Sequence, residues 1–319
     1  MGIIAEEQRD FAEAEQWYKK SLAINEKQGN AHGAALTYHQ LGIIAEEQRD
    51  FAAAEQWYKK SLAINEKQGN AHGAASTYHQ LGRIAEELRD FAAAEQWYKK
   101  SLAIFENEHG AAITYHQLGR ITEEQRDFAA AEQWYKKSLA INEKQGDEYG
   151  AALTYHQLGT IAEEQRDFAE AEQWYKKSLA INEKQGDEYG AASTYHQLGS
   201  IAQEQRDFST AEQWYKKSLA ISEKQGYQYG MAITHNQLGQ LARLQEEYEG
   251  AAEWYLKALP IFLRSENPYN FVIIARNFIR ALHATDQETQ TLLRQQWQQA
   301  GLDEIITLDQ LEQKINEDN

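Results

Sequence analysis

The sequence predicts an all-α fold, a right-handed superhelical solenoid of antiparallel helix pairs that ends in capping helices. Three observations predict it. Seven of the eight tryptophans, from Trp17 to Trp254, recur at steps of 40, 40, 37, 40, 40 and 40 residues. Apolar residues within each unit recur at three- and four-residue steps, which is the spacing of one helix face. Both prolines, Pro260 and Pro268, come late, so the preceding chain keeps every amide donor that helices need.

The unit that begins at Gly33 contains two helical patterns separated by a short polar turn. The apolar face of the first is formed by Ala35, Tyr38, Leu41, Gly42 and Ala45. The apolar face of the second is formed by Phe51, Ala54, Trp57, Tyr58, Ser61 and Leu62. One such helix pair cannot bury its apolar surface alone, so we expect each unit to stack against its neighbours.

Residues that favour turns mark the ends of these helices. Asp50 is expected to cap the second helix, and Gly69 is expected to end it. The small residues Gly42 and Ala54 predict that two helices approach closely at these positions. A leucine at either position should therefore destabilise the unit.

The unit reads Tyr-x2-Leu-Gly-x2-Ala from Tyr38 and Ala-x3-Tyr from Ala54, and this pattern resembles the tetratricopeptide repeat family. It departs from the family at Ala45, where tyrosine is usual, and at Glu66, where proline is usual. The 40-residue length and the segment AEQWYKKSLAI resemble Pins-type adaptors, kinesin light chains and bacterial signalling regulators. The resemblance implies a non-catalytic module that binds a protein or peptide in a concave groove, within a larger signalling or sensor protein.

Two parts are expected, an array of seven units over residues 1–265 and capping helices over residues 266–319. Gly2 aligns with Gly42, so the first unit is truncated at its N-terminus, and we expect the chain to be a piece of a longer protein. The single 37-residue step shortens the linker at residues 104–110 by three residues. We expect that deletion to alter the superhelical step there.

The segment after residue 265 predicts three further helices, over residues 269–283, 286–300 and 307–316. We expect these helices to cover the apolar face of the last unit, as terminal caps of solenoids do. The alternative is that Phe271, Ile274 and Phe278 form a contact with a partner or a second copy of the chain.

The composition limits the kinds of partner. The 319-residue chain has 49 acidic and 32 basic residues and a formal charge of −17. An acidic surface repels nucleic-acid phosphates and anionic membranes, so we expect neither, and a basic or polar protein or peptide is the expected ligand. The chain has no cysteine, no apolar run that would span a bilayer and no signal-peptide pattern at its start. The expected location is the cytoplasm.

The units differ from one another mainly at two positions of the first helix, seven residues apart and therefore on one face. The second of these positions changes from Ile3 and Ile43 through Arg83 and Arg120 to neutral side chains. A histidine and a glutamate recur beside these positions in most units. The resemblance implies that this face lines the groove. The candidate binding residues are Leu36, His39, Ile43, Glu46, Ser76, His79, Arg83, Glu86, Ile113, His116, Arg120, Glu123, Leu153, His156, Thr160, Glu163, Ser193, His196, Ser200, Asn236 and Gln240.

Two interpretations of this face stay open. In the first it is a ligand groove, in which glutamates and histidines favour basic or polar groups. The groove should then discriminate less between ligands as the histidines, which ordinarily titrate near pH 6.5, become charged. In the second the differences are drift on a solvated face after duplication. Drift should also have changed Gln56, Lys59 and Lys60 of the second helix, and these positions hardly vary among the units.

No catalytic site, cofactor site or metal site is predicted. The sequence has no GxxxxGK phosphate loop and no GxSxG nucleophile elbow. Acidic pairs such as Glu46-Glu47 recur along the chain, whereas an enzyme needs one asymmetric site. Histidines one unit apart are separated by roughly the 8–10 Å between packed helices, which is too far to share a metal ion easily. The alternative to ligand binding is a scaffold that self-associates by end-to-end stacking of repeats.

Overall fold

A computed structural model describes residues 2, 8–105, 109–265, 268–304 and 306–317. These residues confirm the all-α class, with helices that follow one another in packed pairs, and they contain no strand. The helices are α1 (Phe11–Lys27), α2 (Ala31–Glu47), α3 (Phe51–Lys67), α4 (Ala71–Glu87), α5 (Phe91–Phe105), α6 (His109–Glu124), α7 (Phe128–Gln145), α8 (Glu148–Glu164), α9 (Phe168–Gln185), α10 (Glu188–Glu204), α11 (Phe208–Gln225), α12 (Gln228–Leu244), α13 (Tyr248–Arg264), α14 (Pro268–His283), α15 (Gln287–Gln299), a 3-10 turn (Leu302–Glu304) and α16 (Leu308–Glu317). Among these helices, none combines the length and the apolarity that a bilayer crossing requires.

The chain forms two compact units, Met1–Ile161 and Ala162–Asn319, which we call unit 1 and unit 2. Their boundary falls within α8. The predicted division at residue 265 is a different one and stays a prediction. Three expectations involve residues outside the described part of the chain. The truncated first helix of the first repeat and Ile3 fall on residues 1–7, of which only Gly2 is described, and the altered step falls on residues 106–108.

The predicted helix ends are confirmed. The Asp50 carboxylate accepts a hydrogen bond from the Ala53 amide at 3.0 Å, which satisfies a free donor at the start of α3. Gly69 follows α3 with φ +66°, in the left-handed region where glycine is favoured. The turn before each second helix was not predicted in detail. Its central residue has a positive φ and is an arginine, for example Arg49 at +59°, except before α13, where it is Glu246. This conformation is uncommon for residues other than glycine.

In unit 1 the second helix of each pair inserts a tyrosine against a glycine of the first. Tyr58 and Tyr98 are fully buried. A Cβ placed on Gly42 would lie 2.4 Å from Cε1 of Tyr58, so a side chain there would displace the ring. Ser61 strengthens the same contact, because its hydroxyl donates to the Ala35 carbonyl at 2.9 Å. The close approach predicted from small residues is therefore confirmed.

Trp57, Trp97, Trp134 and Trp214 stack on tyrosines of the first helices, and Trp254 stacks on His235. In unit 1 the Trp57 and Tyr38 rings stack with centroids 5.7 Å apart. The ammonium of Lys60 lies 4.3 Å from the centroid of the Trp57 ring, which is within the range of a cation–π contact. Trp57 is half-buried between the Tyr38 ring and the basic side chain. The tryptophan period marks a packing position.

In unit 2 the same pairing joins α10 to α11 and α12 to α13, and the C-terminal helices then cover α13. Phe271, Ile274 and Phe278 are 8%, 2% and 0% exposed, in one core with Tyr255 and Phe262. Their burial confirms the capping helices. It also shows that the alternative, a partner contact through these three residues, is wrong.

The bounds of the last helices agree with the predicted ones to within one or two residues. Asp286 caps α15 by accepting from the Thr289 amide at 2.8 Å. The Thr307 hydroxyl accepts from the Gln310 amide at 3.3 Å and so begins α16. Trp297 of α15 is fully buried in the core that α14 shares with α13.

Candidate binding surface of the first helices

The candidate residues lie on faces of α2, α4, α6 and α8 in unit 1, and on α10 and α12 and the last turn of α8 in unit 2. We call these faces the first-helix surface. Two ion pairs join neighbouring first helices in unit 1. Arg83 Nη2 lies 2.7 Å from Glu46 Oε1, and Arg120 Nη2 lies 3.1 Å from Glu86 Oε1. Both arginine side chains are close to half exposed, so a ligand would meet cations that are already paired.

The recurring glutamates are hydrogen-bonded within the fold. The Tyr98 hydroxyl donates to Glu86 at 2.9 Å, and the Tyr135 hydroxyl donates to Glu123 at 2.7 Å. Burial, followed by the charge of Glu86, raises the pKa of Tyr98, so this hydroxyl stays a neutral donor. A basic ligand group would have to compete with these donors. These recurring glutamates are therefore a weaker argument for a basic ligand than they are when the sequence is considered alone.

Two of the candidate histidines, His79 and His116, contact a threonine of the next first helix and are neutral. His79 Nδ1 lies 3.0 Å from Thr114 Oγ1, and His116 Nδ1 lies 3.5 Å from Thr154 Oγ1. Burial, followed by the charge of the adjacent arginine, lowers the pKa of His79 and of His116 to about 4. The expectation that these histidines charge near pH 6.5 and change ligand binding is wrong, because the packed helices exclude the water that would stabilise an imidazolium.

Exposed apolar side chains and cavities occupy the spaces between first helices in unit 1. Ile113 and Leu153, at equivalent positions of α6 and α8, are 44% and 45% exposed. A cavity of about 270 Å³ between α4 and α6 is lined by His79, Arg83 and Ile113 among others. A second cavity, of about 290 Å³, lies between α6 and α8 and includes Ile113 and Leu153 in its wall.

Unit 2 has a larger cavity, of about 460 Å³, between α10, α11 and α12. Ser193 and His196 of the candidate set line it. Its remaining wall includes three tyrosines that the sequence did not single out as binding residues, Tyr189, Tyr227 and Tyr229. The signal that could have found Tyr189 and Tyr229 is the replacement of His32 and His72 by tyrosine at the equivalent positions of later units. For Tyr227 the signal is tyrosine at a position where earlier units have Asn70 or Asp187.

The other candidate residues are distributed along the same faces. In unit 1, Leu36 is 56% exposed, whereas Ile43 is half-buried against the core between α3 and α4. The Thr160 hydroxyl donates to the His156 carbonyl of its own helix at 3.3 Å. In unit 2, the Ser200 hydroxyl donates to Glu163 at 3.0 Å. The five that complete the set are half-buried His39, His156, Asn236 and Gln240 and exposed Ser76.

Comparison of the sequence with family profiles decides the family. The tetratricopeptide repeat profile matches residues 1–67, 110–184 and 190–264, and a second tetratricopeptide repeat profile matches residues 74–112. The chain belongs to the tetratricopeptide repeat family. Tetratricopeptide repeats form protein-interaction scaffolds in general, and this chain has that architecture.

Solved tetratricopeptide structures share the fold at low sequence identity. BtubC from P. vanneervenii superposes with a TM-score of 0.62 at 20% identity, covering 69% of this chain and 92% of that one. The C-terminal part of a repeat protein from Cytophaga hutchinsonii gives 0.61 at 15% identity, covering 90% and 98%. PilF from Pseudomonas aeruginosa gives 0.57 at 18% identity, covering 80% and 99%. No curated protein matches the sequence.

The described residues hold no cluster of three or more metal-ligating side chains. In the tetratricopeptide array His39, His79, His116 and His196 each contact a tyrosine ring of their own helix pair, as His79 does with Tyr98 at a centroid distance of 5.4 Å. The first-helix surface therefore presents paired charges, neutral hydrogen-bonding groups and isolated apolar side chains to a ligand.

Proposed function

We propose that this tetratricopeptide array is a non-catalytic module that holds a segment of a protein or peptide on its first-helix surface, within a larger signalling or sensor protein. The observation that carries the proposal is a contrast between two classes of residue. Many positions that are the same in the units, such as Gly82 and Tyr98, are buried in the repeat core, and those that are exposed include Lys60 on a second helix. Positions that differ among the units, such as Arg83 and Ile113, are exposed between first helices.

The proposed ligand of unit 1 is a polar segment with aliphatic side chains. The cavity between α6 and α8 presents Ile113 and Leu153, which can bury such a side chain from the ligand. The amide of Gln117 and the guanidinium of Arg120 lie in the same wall and can bond a peptide backbone. A strongly basic ligand is less favoured here, because Glu46 and Glu86 already have arginine and tyrosine partners.

Non-catalytic action and a cytoplasmic location are parts of this proposal that rest on the sequence alone. The acidic pairs recur instead of forming one asymmetric site, and the cysteine-free chain suits a reducing compartment. Self-association through end-to-end stacking is the competing function. It has less support at the C-terminal end, because α14 to α16 already cover the last repeat.

The test begins with peptides selected from a random phage-displayed library on the immobilised chain. Their affinities are then measured for two charge-reversed variants. The double variant Arg83→Glu/Arg120→Glu changes the first-helix surface of unit 1. The matched control Lys99→Glu/Lys136→Glu removes the same number of cations from second helices, where each lysine also has one glutamate partner.

We expect the selected peptides to bind the arginine variant at least about tenfold more weakly and the lysine variant within about twofold of the parent chain. Equal affinity for both variants would contradict the proposed surface. If no peptide is enriched and the sedimentation coefficient rises with concentration, the scaffold function replaces the binding function.

A further inference from the structure

The cavity between α10, α11 and α12 is larger than the equivalent cavity between α6 and α8, and its repeat departs from its siblings at one buried and one half-buried position of the wall. Asn182 lies three residues before the end of α9, and the equivalent residue of α11 is Ser222. The N-cap of α10 is Asp187, and the equivalent residue before α12 is Tyr227. The first change removes side-chain volume from the wall, and the second adds an aromatic ring to it.

The glycine that follows each cap shows how much space these changes open. A Cβ on Gly190 would lie 2.4 Å from the Asp187 carboxylate and 2.8 Å from the Asn182 amide. A Cβ on the equivalent Gly230 would meet only Ser222 Oγ at 3.0 Å, with all other atoms at 3.7 Å or more. The space that a sibling repeat fills with two polar side chains is therefore part of a cavity in this repeat.

The replacement at the N-cap removes a stabilising interaction. Asp187 accepts a hydrogen bond from the Gly190 amide at 2.9 Å, whereas Tyr227 makes no side-chain cap bond. Side-chain caps stabilise helices, so their loss without compensation is unfavourable. Local departures of this kind concentrate at functional sites. Tyr227 instead packs edge-on against Tyr189, with ring centroids 5.6 Å apart.

The wall of this cavity is neutral and partly aromatic. Its polar groups are hydroxyls, an amide and the imidazole of His196, and none of the lining side chains is an aspartate, glutamate, lysine or arginine. Burial lowers the pKa of His196 to about 4, so the imidazole carries no charge at neutral pH. Glu188, beside Tyr189 in the chain, is paired with Lys224 at 2.5 Å. The neutral wall disfavours an ionic occupant, because burial of a charge without a partner is costly.

The mouth of the cavity is formed by exposed aromatic rings. Tyr189 and Tyr229 are 69% and 51% exposed, while Ile233 and Ala192 lie deeper in the wall. Rings placed in this way can stack on a second aromatic group that enters between them. A cavity with an open rim suits a side chain whose backbone stays outside, whereas free small molecules prefer sites that enclose most of their surface.

We propose that the cavity between α10, α11 and α12 is an anchor site for one uncharged aromatic side chain of a bound peptide. The proposal rests on the proposed function of the first-helix surface and adds a ligand class to it. Tyr189, Tyr227 and Tyr229 hold the ring by edge and face contacts, and the small side chain of Ser222 leaves room for it. The hydroxyl of Ser193 and the amide of Gln228 can accept or donate a hydrogen bond at the rim.

The test uses N-acetyl-tryptophanamide as the aromatic probe and N-acetyl-leucinamide as the aliphatic one, with binding to the full chain followed by ligand-observed NMR titration. Ser222→Asn installs the residue of the sibling repeats and should narrow the cavity towards the roughly 290 Å³ of its equivalent between α6 and α8 without disturbing the fold. We expect it to weaken binding of the aromatic probe at least about tenfold. The double variant Tyr189→His/Tyr229→His should weaken it similarly.

The control is Tyr149→His, which makes the same exchange at the equivalent, 57% exposed tyrosine of α8 in unit 1. It should leave the affinity unchanged, and thermal unfolding of every variant checks that the fold persists. Aromatic binding that survives Ser222→Asn, or that falls equally in Tyr149→His, overturns the proposal. Preference for the leucine probe overturns the aromatic assignment, and no binding of either probe overturns the site.

The two proposals can fail separately. The probes test the cavity of unit 2 directly, whereas the selected peptides and the Arg83/Arg120 variant test unit 1. Peptides that depend on Arg83 and Arg120 while the aromatic probe does not bind would remove the anchor site alone. If the aromatic probe binds but no peptide is selected, the cavity remains a binding site and the proposed peptide-binding surface of unit 1 is contradicted.

Discussion

The ring of Tyr98 occupies the space that a side chain on Gly82 would need, since a Cβ there would lie 2.5 Å from Cε1 of the ring. The hydroxyl of the same tyrosine donates to Glu86, one turn further along the first helix. One buried side chain thus sets both the separation of two helices and the orientation of a carboxylate on the first-helix surface. The binding surface and the repeat core are therefore coupled at this residue.

Gly82→Ala should destabilise the chain, although alanine normally favours helices. The added methyl would force the Tyr98 ring from its position, at a cost of about 1–3 kcal/mol, which exceeds the roughly 1 kcal/mol gained in helix propensity. The midpoint of urea unfolding measures the difference. Gly250→Ala is the control, because a Cβ there meets nothing within 4 Å. An equal effect of both substitutions would show that packing against tyrosine is not the cause.

Asp90→Ala should lower the free energy of unfolding by about 1 kcal/mol. The Asp90 carboxylate accepts from the Ala93 amide at 3.0 Å, and alanine would leave that amide to water. Glu247 occupies the equivalent position before α13 and makes no side-chain cap bond. Glu247→Ala should therefore change stability by less than about 0.5 kcal/mol. Thermal unfolding of the two variants side by side tests the assignment of the cap.

The free energy of unfolding should fall as the pH drops from 6.5 towards 4. Above pH 6.5 the histidines should contribute no pH dependence to it. Burial lowers the folded-state pKa of His79, His116, His156 and His196 to about 4, while an unfolded histidine titrates near 6.5. Between these values the unfolded chain binds more protons, so acid favours unfolding.

The pH dependence can be assigned with one substitution. His116→Asn installs the side chain that Asn236 has in the last unit and removes one titrating group. Urea midpoints measured from pH 4.5 to 7.5 should then rise less steeply with pH than those of the parent chain. Identical slopes for the two proteins would mean that His116 is not a buried neutral histidine.

The affinity for the selected peptides should stay constant between pH 5.5 and 8, because the buried histidines remain uncharged over that range.

Phe278→Ala should cost about 3–5 kcal/mol, because it empties the centre of the C-terminal core. Phe278 is fully buried and stacks on Trp297 at a centroid distance of 5.3 Å. Hydrogen exchange should increase in α13 and α14 before it increases in unit 1. Tyr269→Ala changes a 74% exposed ring of the same helix and should have little effect. Comparable losses in both variants would argue against the capping core.

Much of the fold could be predicted because its determinants are local and periodic. Asp50 reveals a cap within three residues of itself, and Gly42 reveals a close contact because a small residue recurs there in every unit. The helix predicted over residues 286–300 agrees with α15, which Asp286 caps. The faces that carry Arg83 and Ile113 could also be predicted, since helical spacing alone groups them.

The sequence by itself determined the repeat, the pairing of helices, the caps at their ends and the residues that vary on one face. These depend on contacts within about one unit of chain, which spacing and side-chain size encode directly. Only the tertiary structure decided that His79 is neutral, that Glu86 already has partners and that a cavity lies beside Gly230. Each of these depends on distances between side chains of different helices and on the water that packing excludes, and neither quantity can be read from residue order.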